Sequence, residues 1–336
     1  MKRTILCVIL STSLILSLCG CMDYRESDSR LVSTAIGFDG DENGVKISVQ
    51  TVMIAQSGSE KQAYPKVFSA SADNVKNAVY DLYSKLPKPL LFDHCGVLVI
   101  GSDLNEEIIN QIFKFCSDEK SLNLAIRFIC SDNAFELLSR PAMSAVANGY
   151  DIMEMLESES NQTGTLFSNR FYEIEAAKQK IIPVYTIPDI VYDKDDFYID
   201  GQNVFIGSSP KIKLNNRQAV IYSIICNDFS SGNVRINDQY ARLISSHTRF
   251  SSSITKGGLK IKLKGDIISE NESKYFKSAL ANEVDSLIST VRKNNLGDIF
   301  GFADRIYYRS EKEWESLKKD YQNRFSSKQT IIEYEA

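Results

Sequence analysis

Val97-Leu98-Val99-Ile100, preceded by Leu91-Phe92-Asp93-His94-Cys95-Gly96 and closed by Gly101, is a short unbroken apolar run. A strand that alternates apolar and polar residues buries one face. A strand with no polar position reads as buried on both, as in a sheet covered by helices. Its flanks agree. Upstream, Val75, Ala78, Val79, Leu82 and Leu86 fall on one stripe of a helix at about 73–86, which Pro87 and Pro89 end. Downstream, Asp103 stands as the N-cap of a second helix, with Glu106 three residues on. Leu124 to Cys130 reads as the next strand, and a helix over 132–140 stops at Pro141. Ile152, Met155 and Leu156 mark another helix before a loop over 158–164. This alternation of strand and helix over 66–164 is the pattern of an α/β layer.

On the N-terminal side, residues 31–55 read as a β-hairpin. Val45, Ile47 and Val49 alternate with Lys46, Ser48 and Gln50, giving one buried and one wet face, and the turn lies in Asp39–Gly44. Residues 56–65, rich in Ser, Gln and Gly, read as an exposed loop, and Val67 and Ser69 as a short strand. On the C-terminal side, 167–180 is helical and Pro183–Pro188 extended. A hairpin over 197–206 turns at Asp200-Gly201, and a helix covers 215–226. Long strands span 233–251 and 258–269, a long helix 272–293, and a short helix 311–322 carries Trp314 before a strand at Thr330-Ile331-Ile332. The expected class is α+β and multi-domain, in three units with mixed β-sheets flanked by helices. The hairpin region 21–65 packs with 165–190 as the first unit, 66–164 is the second, and 191–336 is the third.

The chain has 336 residues, 43% hydrophobic and 24% charged, which excludes intrinsic disorder, a collagen-like fibre and a disulfide miniprotein. With 39 basic and 43 acidic residues the net charge is −4, so composition gives no reason to expect nucleic acid as a partner.

The first residues fix the expected compartment. Lys2 and Arg3 precede an apolar run from Ile5 to Leu18. That is about 14 residues, against the ~20 a spanning helix needs, so 1–20 reads as a signal peptide. Leu18-Cys19-Gly20-Cys21 matches the bacterial lipobox, with cleavage between Gly20 and Cys21 and a lipidated Cys21 opening the mature chain. Cys95, Cys116, Cys130 and Cys226 then remain, in apolar settings and with no C-x-x-C spacing. Burial favours free thiols, and one disulfide stays open as the alternative.

Chemistry is sparse. The sequence holds no G-x-S-x-G, G-x-x-x-x-G-K-[ST], G-x-G-x-x-G or H-E-x-x-H signature. His94 and Cys95 are adjacent, but neighbours entering a strand point to opposite faces, so they do not form a nucleophile pair. The other histidine, His247, lies in a Ser/Thr-rich strand. Asp193-Lys194-Asp195-Asp196 lacks the glycine and final glutamate of an EF-hand loop and reads as a solvated turn. Asn161 and Asn271 stand in chance glycosylation sequons. No catalytic, cofactor-binding or metal-ligating residue is assigned, and no cofactor is expected.

Taken together, these residues resemble the Ger(x)C family, the C-subunit lipoproteins of bacterial spore germinant receptors. The mature start Cys21-Met22-Asp23-Tyr24-Arg25-Glu26 leads to Thr34-Ala35-Ile36-Gly37-Phe38-Asp39, with Met22 for the family's usual Trp and Tyr24 for a usual Arg. Leu91–Gly101 is similar to the family's middle signature, and Asn203-Val204-Phe205-Ile206-Gly207 loosely resembles the opening of its C-terminal domain. Gly297-Asp298-Ile299-Phe300-Gly301-Phe302, with Trp314 beyond, looks like its late motif. The resemblance implies a non-enzymatic ectodomain on the outer face of the spore inner membrane, partnered by membrane-embedded A and B subunits and needed for germination. Of functional residues it carries over only Cys21. A surface lipoprotein that captures a small solute or peptide is the alternative, with the tyrosines of 183–198 lining a pocket. An extracellular hydrolase would need His94 or His247 brought beside a nucleophile.

Overall fold

The computed structural model describes residues 30–335, apart from 43, 58–59, 143, 145, 164–168, 194–195, 237–238 and 271–273. The signal region, Gly20, Cys21, the 22–26 motif, Lys194-Asp195 and Asn271 lie outside the described residues.

β5 (Val97–Gly101) sits inside a nine-stranded sheet that also contains β1 (Leu31–Asp41), β2 (Gly44–Ser57), β3 (Glu60–Ala72) and the short β4 (Leu90–Leu91). The remaining members are β6 (Arg127–Ser131), β7 (Val184–Asp193), β8 (Asp196–Ile206) and β9 (Ser209–Leu214). The order is β3-β2-β1-β5-β6-β7-β8-β9, with β4 on β1. β5 runs parallel to both β1 and β6, as a strand with two apolar faces should.

Leu98 and Ile100 face α1 (Val75–Lys85), α2 (Glu106–Asp118) and α5 (Phe171–Lys178). Val97 and Val99 face α3 (Ala134–Ser139) and α4 (Asn148–Thr163). The hairpin 31–57 and the α/β layer therefore share one sheet and one core. Phe128, fully buried and stacked at 5.3 Å on Phe113, contributes about 3 kcal/mol to that core by burial alone.

Several local readings differ from the sequence expectation. Ser48 and Gln50 are fully buried, because α3 and α4 cover the face expected to be wet. Gln50 donates to Leu138 O at 2.8 Å and accepts from Thr34 Oγ1 at 3.0 Å and Gly149 N–H at 3.2 Å. Residues 60–65 are strand rather than loop, paired with β2 up to Ser57↔Glu60. Asp103 does not cap α2. Asn105 does, accepting from Ile108 N–H at 2.9 Å, while Asp103 accepts from Gly40 N–H at 2.9 Å. α4 continues to Thr163 across the expected loop.

Asp200-Gly201 is no turn, since β8 passes straight through and closes on β7 at Asp193↔Asp196. Pro188 faces Gln202 and Ile190 faces Ile199, so Asp200-Gly201 forms a bulge. Gly201 has φ +91°, and a Cβ there would stand 1.8 Å from Leu214 O.

A four-stranded sheet orders β10 (Gly232–Ile236), β11 (Gln239–Ile254), β12 (Leu259–Ser269) and β13 (Ile331–Glu335). The single long strand expected at 233–251 is thus split in two. β12 alternates buried Leu259, Ile261, Leu263 and Ile267 with outward Lys262, Lys264, Asp266 and Ile268. Its inner face packs on α6 (Asn216–Cys226) and α7 (Lys274–Lys293). α8 (Phe302–Arg309), α9 (Glu311–Leu317) and α10 (Tyr321–Ser326) complete the layer, where one helix at 311–322 was expected.

Candidate functional site

Asp39, at the end of β1, is buried, and its carboxylate accepts from the N–H groups of Ala134 (2.6 Å) and Phe135 (2.8 Å). These are orphan donors at the start of α3, so a carboxylate deep in the fold caps a helix 95 residues away in sequence. Gly37 makes the approach possible, since a Cβ there would stand 2.8 Å from that of Ala134. Burial pushes the Asp39 carboxyl above its ordinary range, against the pull of the two N–H groups. Thr34–Asp39 and Gly96–Gly101, two of the stretches that carried the resemblance, meet around this cap.

A second buried node lies in the C-terminal unit. Asp298 is fully enclosed, accepting from Ala303 N–H at 2.9 Å and Tyr321 Oη–H at 2.7 Å. Trp314 meets Tyr321 edge to face at 5.3 Å, and Tyr222 donates to Ile299 O at 2.7 Å. Asp304 accepts from the N–H groups of Ile181 (3.0 Å) and Ile182 (3.3 Å), tying this unit to the segment before β7.

Burial also holds the Asp298 carboxyl above its ordinary range. A raised folded pKa means stability fully present below the unfolded value and lost as pH rises through the folded one. The thermal midpoint of the Asp298→Asn chain should therefore rise less than the wild type's as pH falls from 7 toward 4. Parallel curves would contradict this.

The candidate nucleophiles are not poised for chemistry. Cys95, Cys116, Cys130 and Cys226 are free thiols. Burial pushes Cys95 and Cys226 up to about 12, and Cys116 and Cys130 upward as well, so thiolates are scarce at neutral pH. His94 is exposed, with Asp93 at 3.9 Å, while neighbouring Cys95 is buried. His247 is exposed on β11 opposite Asp266.

The tyrosines of 183–198 do not share a pocket. Tyr185 is buried and stacks on Phe205 at 5.4 Å, Tyr192 lies against Arg140, and Tyr198 faces solvent. A groove of about 730 Å³ opens instead between α1 and α2, lined by Lys76, Val79, Tyr83, Gln111, Lys114 and Phe115. It escaped sequence reading because each helix was legible only by its buried stripe. Among the described residues, no His, Cys, Asp and Glu cluster of three or more could hold a metal ion. No helix among them is long and apolar enough to cross a membrane.

Two family models cover nearly the whole chain. The spore germination protein N-terminal domain matches residues 23–187, and the spore germination B3/GerAC-like C-terminal domain matches 200–336. The chain belongs to the GerAC family of spore germination proteins. No curated protein matches it. The crystal structure of the GerBC protein matches with a TM-score of 0.51 and 17% identity, over 89% of this chain and 94% of that one. The GerAC family thus supplies a role in spore germination, and the GerBC likeness bears out the mixed α and β fold. The Asp39 and Asp298 nodes show what two of the family-like motifs do here: they hold helices in place.

Proposed function

We propose that this chain is the lipid-anchored, non-enzymatic C subunit of a nutrient germinant receptor, working beside membrane-embedded A and B subunits on the outer face of the spore inner membrane. The observation that carries this reading is the extent of the family match, which begins at residue 23, two positions after the lipobox cysteine, and runs to residue 336. The matched region starts two residues after the point at which a chain cleaved between Gly20 and Cys21 would start. Burial holds the Cys95, Cys116 and Cys130 thiols protonated, which fits a subunit that signals by contact.

Acyl chains on Cys21 confine the ectodomain to the membrane plane, which raises its effective concentration near integral partners without any added contact. Deleting the gene should abolish germination in response to one nutrient class and leave calcium-dipicolinate germination intact. Undiminished germination with every nutrient, in a strain lacking paralogues, would refute the proposal.

A further inference from the structure

Two hydrogen bonds tie α1 to α2 along the groove between them. Val75 N–H donates to Gln111 Oε1 at 3.0 Å, and Tyr83 Oη–H donates to Glu119 Oε2 at 3.4 Å. The partners stand 36 residues apart in both ties, so the two helices run parallel and hold one register. From Val75 to Tyr83 the groove is about 12 Å long at 1.5 Å per residue, a little over two helical turns.

The walls repeat with helical spacing. Lys76, Val79, Tyr80 and Tyr83 on α1 fall at i, i+3, i+4 and i+7, and so do Gln111, Lys114, Phe115 and Asp118 on α2. Tyr80, on the rim, is 74% exposed and Tyr83 is 41% exposed. Phe115 is half-buried beneath them and held edge-on by Phe38 and Phe92, each at 6.0 Å. Fixed aromatics beside an open apolar floor are the kind of residue that anchors a protein interface. The rim is too open to enclose a solute, since the Lys114 side chain is 77% exposed.

Charge narrows the occupant. Asp73, Glu107, Asp118 and Glu119 line the groove against Lys76 and Lys114, and Lys114 is already paired with Asp118 at 3.1 Å. Because the helices are parallel, their carbonyl ends meet at the Tyr83–Glu119 tie, where α2 has no basic residue in its last turn. An acidic groove repels anionic lipid headgroups and attracts a cationic polypeptide. From the two-turn length, the aromatic floor and the charge together, we infer that α1 and α2 receive an amphipathic helix of a partner protein. That helix seats apolar side chains at i, i+3 or i+4, and i+7 between the ties, with Lys or Arg over Asp118 and Glu119. The inference deepens the reading of a subunit that signals by contact, and rests on it.

The test uses the full-length chain in spores, with photo-reactive benzoylphenylalanine in place of Tyr80, Lys114 or Tyr308. Tyr308, on α8, is 78% exposed and serves as the control. Illumination should give the same protein adduct from positions 80 and 114 and none from 308. Mass spectrometry should place the cross-linked peptide in a helix of the stated pattern. Adding Tyr80→Glu to the probe at 114 should cut that adduct several-fold at unchanged abundance, since a side chain this exposed can change without disturbing the core. No adduct, or one to lipid, to a second copy of this chain or to an extended segment, would overturn the inference, as would an adduct indifferent to Tyr80→Glu. Where deleting the gene blocks germination and the probes still give such a result, the groove inference fails by itself. Where deletion leaves every nutrient response intact, contact signalling fails with it.

Discussion

Chains carrying Cys21→Ser should incorporate no palmitate and leave the membrane fraction. The thioether forms on sulfur, and a serine hydroxyl at the lipobox position offers no equivalent nucleophile for that step. Two acyl chains at ~0.8 kcal/mol per buried CH₂ supply on the order of 20 kcal/mol gross, enough for stable anchoring. No helix among the described residues could hold the protein in the bilayer in their place. Labelled palmitate appearing equally in mutant and wild type would remove the basis for the anchoring proposal.

Asp39→Ala should destabilise the ectodomain by about 2–3 kcal/mol, the cost of two N–H donors left without an acceptor, while Asn133 keeps its own cap bond from Glu136 N–H. The donors are the N–H groups of Ala134 and Phe135, and the space is closed by α3 against β1, so water is poorly placed to substitute. Asp39→Asn should cost less, since one oxygen still accepts while the amide presents hydrogens to an N–H. Urea unfolding at constant m-value measures both. A loss under 1 kcal/mol for the alanine variant would mean that α3 is held by its apolar face alone. Any germination defect of these variants should track reduced protein abundance rather than altered response, because the residue reaches no surface.

The sheet and the helices against it were readable where periodicity is strong. Val97–Ile100 has no polar position and proved to be buried on both faces. The stripe Val75, Ala78, Val79 and Leu82 is the buried face of α1. Readings failed where a polar residue's surroundings come from distant chain. Ser48 and Gln50 looked wet because their covering helices begin some 85 residues later. Asp103 looked like a cap because Asn105, two residues on, offers a carbonyl oxygen in the same role. Asp200-Gly201 looked like a turn, because a glycine with positive φ serves a bulge as well as a hairpin.

By itself, the amino-acid order determined the α and β alternation, the mixed class of fold and the cysteine at which a membrane anchor is proposed. Those depend on local spacing, which a chain carries whatever its neighbours. Only the tertiary structure decided that Asp39 accepts from the first N–H groups of α3, and that Cys95, Cys116 and Cys130 are sealed in the core. Each of these is a meeting of segments tens of residues apart, and closure of the fold, not propensity, brings them together.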